Sequence, residues 1–277
     1  MPNTPQGFET RLNQLRGDLS AQSVRVRRLV EVSFESLFAR DAGRARGVEA
    51  LDDEVDAADV EIERAAVALL TDATHENARL EPQQLRGVLT VVKINNELER
   101  VADVGVEIAA RAATLAALPG EIPETFRVMA NSVLGVMRDA GASFERSDAA
   151  LAKVVLQSED AMEAFKQALC RDAEQRIAAG TMSVDVAFNL HEVANACEQI
   201  GDHCTNIAEQ VIYLVTGAIV RHMGGKWVEQ PRVSRGAGVI GRQRGGERGE
   251  VGGVDGHDPC LRVRAGTNRF RYRVGGV

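Results

Sequence analysis

Two Glu-x-x-x-Asp pairs, Glu99 with Asp103 and Glu198 with Asp202, stand 99 residues apart, each flanked by apolar residues at helical spacing. On an α-helix, residues four apart lie on one face, so each pair presents two carboxylates side by side. A second acidic set, Asp52, Asp53 and Asp56, is matched 107 residues later by Glu159, Asp160 and Glu163. Carboxylates grouped in this way, without converging Cys or His, are oxygen ligands for hard or borderline cations. Magnesium, manganese, calcium and iron fit best, and zinc is less favoured by ligand softness. Like charges one helical turn apart cost a few tenths of a kcal/mol per pair, roughly, on an isolated helix, so the repeated arrangement invites a cation. A solvated helix face laced with Arg100 and Arg111 accounts for the spacing equally well, and only the duplication speaks for a metal. His203 follows Asp202, but its counterpart is Val104, so the repeat does not support a ligand role and it reads as a surface histidine.

Other chemistry is sparse. No GK[ST] phosphate loop, GxSxG nucleophile elbow or Glu-x-x-His pair of the di-iron type is present. An enzyme is therefore the weaker class.

The elements that must hold these acids are long helices. Leu98, Val101, Gly105, Ile108 and Leu115 recur at the same offset as Cys197, Ile200, Cys204, Ile207 and Leu214, so the whole acidic helix is duplicated. Three-four spacing of apolar residues predicts a first helix from Phe8 to about Asp41, a second from Val48 to about His75, and a third from Pro82 to Leu115. The same plan follows in the second half, with helices over about 123–155, 157–178 and 183–220. The expected architecture is all-α: two sequence-related three-helix bundles of long antiparallel helices, over residues 8–118 and 122–222. With Leu98, Val101 and Gly105 facing the core, Glu99 and Asp103 point away from it. Asp52, Asp53 and Asp56 flank the seam carried by Leu51 and Val55.

Residues 223–277 change grammar. From residue 224 onward, 14 of 54 positions are Gly and 10 are Arg, without apolar periodicity, which predicts a disordered tail. An RGG-like segment binding nucleic acid or an anionic surface is the functional alternative. This stretch holds 11 Lys/Arg against 5 Asp/Glu, leaving 22 against 35, a net of −13, for residues 1–223. A body so acidic disfavours nucleic acid as its partner. Four cysteines without CxxC spacing make neither a disulfide framework nor a zinc finger, and Cys197 and Cys204 fall on the apolar stripe as core thiols of a reducing compartment. Without a basic-then-apolar leader or an 18-residue apolar run, a soluble, unexported protein is expected.

The strings LDDEVDAADVEIE (51–63), VVKINNELERVADVGVEIA (91–109) and ACEQIGDHCTNIAEQVIYLVTG (196–217) resemble the two repeats of the PhoU family over roughly residues 8–222. That resemblance implies a cytoplasmic six-helix protein, often dimeric and without enzymatic activity. It would relay phosphate sufficiency between the ATPase of a phosphate ABC transporter and a sensor histidine kinase, repressing the phosphate-starvation response. It also implies iron, manganese, magnesium or zinc on the acidic motifs, which carry over onto Asp52 and Asp56, Glu99 and Asp103, Glu159 and Glu163, and Glu198 and Asp202. Two departures stand out: ERVAD replaces the family's usual ERIGD in the first repeat, and Glu163 replaces an Asp in the second. Neither removes a carboxylate. Alternatives are a metal-dependent helical enzyme acting on a phosphorylated substrate and an accessory protein of another phosphate permease.

Overall fold

The structure, a computed structural model, describes residues 5–223 and 226–230. The elements run α1 (Pro5–Ala39), α2 (Ala42–Arg46), α3 (Val48–His75), α4 (Pro82–Ala116), α5 (Glu124–Glu145), α6 (Ala149–Leu156), α7 (Glu159–Ala178) and α8 (Val184–Thr216). An antiparallel hairpin, β1 (Ile219–Met223) and β2 (Lys226–Gln230), follows. Helices α1, α3 and α4 form one three-helix bundle, and α5–α6, α7 and α8 form the second. The duplicated acidic helices α4 and α8 pack on each other between the bundles, and α1 also packs on α5.

The seams read from the sequence are the core. Val101, Ile108, Leu115, Ile200 and Ile212 are each at most 1% exposed, as are Leu29, Val30 and Leu37 of α1. Each such side chain contributes about 1.5–3 kcal/mol through burial. Gly105 has a specific reason. A Cβ there would lie 2.4 Å from Leu29 Cδ2 and 3.1 Å from Val30 Cγ2, so α1 and α4 meet where the side chain is missing. Its counterpart in the second bundle, Cys204, is 1% exposed.

The helix predicted over 123–155 is interrupted. Arg146 ends α5, Ser147 takes a positive φ of 50°, and the Asp148 carboxylate accepts the N–H groups of Ala150 and Leu151 to start α6. The first repeat makes the same break 107 residues earlier. There Arg40 has φ 52° and Asp41 accepts the N–H groups of Gly43 and Arg44 to start α2. An Asp side chain that satisfies free N–H groups favours a new helix start over continuation, and this outweighs the apolar periodicity running across the break. Arg40 serves the tertiary structure as well, donating to the carbonyls of Leu115, Leu118 and Gly120 at the end of α4.

The last helix stops earlier than its periodicity predicts, at Thr216. Gly217 adopts the left-handed conformation (φ 72°), as helix C-termini prefer, and the chain turns into β1. Pairing of Ile219 with Gln230 through Met223 with Lys226 therefore carries ordered structure past residue 222. The predicted disorder of the rest of the tail lies outside the described residues. Among the described residues no helix is long and apolar enough to cross a membrane.

Candidate functional site

In the first bundle α3 and α4 bring five carboxylates into electrostatic contact: Asp52, Asp56 and Asp59 from α3, Glu99 and Asp103 from α4. Asp52, Asp56, Glu99 and Asp103 were legible from spacing, whereas Asp59 was not. Its place follows from helix geometry, three residues beyond Asp56, and its carboxylate accepts from Asn95 Nδ2 of α4 at 2.6 Å. None of Asp52, Asp56, Glu99 and Asp103 has a salt bridge among the described residues.

The cost of gathering these charges shows in their proton affinities. Partial burial, then the like charges of Asp103, Asp59 and Asp56, push Glu99 from 4.5 up to about 7, with Arg100 opposing weakly. Burial followed by Asp56, Asp103 and Asp53 raises Asp52 to about 6. Asp103 is raised by burial and by Asp56, against an opposing pull from His203. Asp59 is raised by burial, Glu63 and Asp56, although the Asn95 hydrogen bond favours its charged form. All four respond to an excess of negative charge that a cation would relieve.

The second bundle brings together Glu159 at the start of α7 and Glu198 and Asp202 of α8. Burial, Glu159 and Glu198 raise Asp202, with His203 and Lys166 opposing. This set differs from the first in carrying its own cation, Lys166 Nζ, 2.5 Å from Glu198 Oε2. Glu163 is not among the groups acting on Asp202; it faces solvent and accepts from Gln167 Nε2 at 3.2 Å.

His203, read from the sequence as a solvated surface residue, lies in the α4–α8 interface with a side chain 19% exposed. Its Nδ1 donates to Glu97 Oε2 at 2.8 Å, and Asn206 Nδ2 donates to the same oxygen at 3.0 Å. Burial works against the charged Glu97, but these two hydrogen bonds prevail and hold it below its usual range. His203 lies within electrostatic reach of both Asp103 and Asp202, so one residue stands between the two acidic sets. An open groove of about 640 Å³ runs from Glu159 and Asp202 past Glu97 to a buried Glu209 paired with Arg221 at 2.5 Å.

In donor chemistry the first set fits a hard cation, being all oxygen, partly buried and free of a competing ammonium. Among the described residues, however, no three acidic, His or Cys side chains converge as a preformed coordination sphere. The core thiols Cys197 and Cys204 are pushed up to about 12 by burial and are inert as ligands or nucleophiles at neutral pH.

A family model described as the PhoU domain matches residues 21–112 and again 126–211. The chain is 31% identical over 214 residues to the phosphate-specific transport system accessory protein PhoU homolog 1 of Thermotoga maritima, covering 76% of this chain and 89% of that protein. Against the PhoU homolog of Pseudomonas putida the identity is also 31%, over 79% of this chain and 84% of the relative. The crystal structure of PhoU from Pseudomonas aeruginosa matches with a TM-score of 0.69 at 27% identity, covering 76% of this chain and 99% of that one. The phosphate transport system regulatory protein PhoU from Streptococcus pneumoniae, at 20% identity and a TM-score of 0.70 over 78% of this chain and 100% of that one, shares the fold. Both matched segments fall on the two three-helix bundles and span all eight acidic residues that the resemblance carries over, and the chain belongs to the PhoU family.

Proposed function

We propose that this chain is a cytoplasmic, dimeric accessory protein of a phosphate transport system. It binds the ATPase subunit of a phosphate ABC transporter and a sensor histidine kinase, and represses the phosphate-starvation response when phosphate is plentiful. Iron, manganese, magnesium or zinc on the acidic sets would tune the surface that the partners read. The observation that carries this reading is the duplicated bundle itself: both repeats of the family are present, each presenting acids from two adjacent helices on its outer face.

A metal ion at the first set would be held by Asp52, Asp56, Glu99 and Asp103, and would supply positive charge where negative charge is in excess. The corresponding residues of the second repeat are Glu159, Glu163, Glu198 and Asp202. The chain acts through contacts rather than bond chemistry, and the negative charge of its body disfavours nucleic acid as a partner.

The test is recovery of partners. Tagged protein isolated from native membranes of phosphate-replete cells should bring down the transporter ATPase and a sensor kinase, identified by mass spectrometry. Deletion of the gene should raise the starvation response in phosphate-rich medium. Recovery of neither partner, together with an unchanged response, would refute the adaptor reading.

A further inference from the structure

The two acidic sets are built from one repeat, yet they differ at one decisive position. On the helix that supplies the first acids, Asp52 and Asp56 correspond to Glu159 and Glu163 at an offset of 107, and the same offset takes Asp59 to Lys166. A carboxylate in the first half is thus an ammonium in the second. The facing helix changes in step: at an offset of 99, Asn95 becomes Ala194. In the first half Asn95, 2% exposed, donates from Nδ2 to Asp59 Oδ1 at 2.6 Å, and its own Oδ1 has no partner among the described residues. In the second half the lysine replaces this arrangement and reaches Glu198 Oε2 at 2.5 Å, with the two side chains only 25% and 32% exposed.

From this exchange we infer that Lys166 is an internal counter-cation that takes the place of a metal ion in the second half, and that metal loading is confined to the first set, with Asp59 as one of its members. An ammonium hydrogen-bonded to Glu198 occupies the lone pairs a metal would need. It also places a fixed positive charge where a divalent ion would sit, and both effects oppose binding. The first set has the converse composition, five carboxylates and no lysine, and Asn95 holds Asp59 in place from a buried position. The inference rests on the metal-binding reading of the acidic faces. It adds that the repeats are unequal and names the residue responsible.

The experiment titrates the chelator-treated, full-length protein with manganese(II) chloride by calorimetry, with elemental analysis after gel filtration and circular dichroism to confirm folding. Wild type should take up one tightly bound ion per chain. Lys166→Met should gain a second, and Lys166→Arg, which keeps the charge, should not. Asp59→Asn should weaken the first site at least tenfold while leaving the helical signal unchanged. If wild type binds two ions and Lys166→Met binds the same two, Lys166 is not the discriminating residue, although the acids remain metal ligands. If no variant binds manganese, the metal reading falls and this inference with it.

Discussion

Replacing Glu99 by Gln tests whether the acids of the first bundle repel one another in the folded chain. The carboxyl is raised from 4.5 to about 7, first by partial burial and then by Asp103, Asp59 and Asp56. Between those two values the native state holds a proton that the unfolded chain has lost, so stability falls as pH rises through the window. The penalty is complete above about 7 and absent below 4.5, where both states are protonated. A shift of this size corresponds to about 3 kcal/mol at most. Because the carboxylate keeps contact with water, screening reduces this to about 1 kcal/mol. Glutamine keeps the shape without the charge. In chelator, Glu99→Gln should therefore melt roughly 2–4 °C above wild type at pH 8 and level with it near pH 4.5. The assay is a pair of thermal melts across pH 4.5 to 8, read as the difference between the two proteins so that other titrating groups cancel. Parallel melting curves at every pH, or a variant less stable at pH 8, would refute the assignment of crowded charge to this face.

Two further substitutions probe the packing. Ile200 is 0% exposed, so Ile200→Asp would bury an unpaired carboxylate and cost several kcal/mol, about the whole margin of an ordinary domain, whereas Gln199→Asp on the exposed flank should be nearly silent. Equal melting temperatures for the two would mean that the inward face of α8 has been misassigned. Gly105→Ala sets two effects against each other: alanine is the better helix former by about 1 kcal/mol, but its Cβ would stand 2.4 Å from Leu29 Cδ2 in a filled core. Overpacking of this kind costs about 1–3 kcal/mol and should win. A denaturant midpoint higher than wild type would show that α1 is free to move away.

The helices, their inward faces and the acid pairs along them were legible in the sequence, because each depends on neighbours within a turn or two of the chain. Leu98, Val101 and Ile108 are buried because their spacing matches the helix repeat, and Glu99 and Asp103 share a face for the same reason. The break at Ser147 was local too, since Asp148 repeats Asp41 at the offset that relates the acids of α3 and α7, but apolar periodicity running across it concealed the cap. What sequence spacing could not supply was the meeting of charges on different helices. His203 and Glu97 are 106 residues apart and Lys166 and Glu198 are 32 apart, and each pair exists only because seams pack in one register and with one rotation. A helix dictates which of its own residues share a side. Whether the side chain opposite is a carboxylate, an amide or an ammonium depends on the partner helix, and that choice separates the cation-poor set of α3 and α4 from the set in which Lys166 pairs with Glu198.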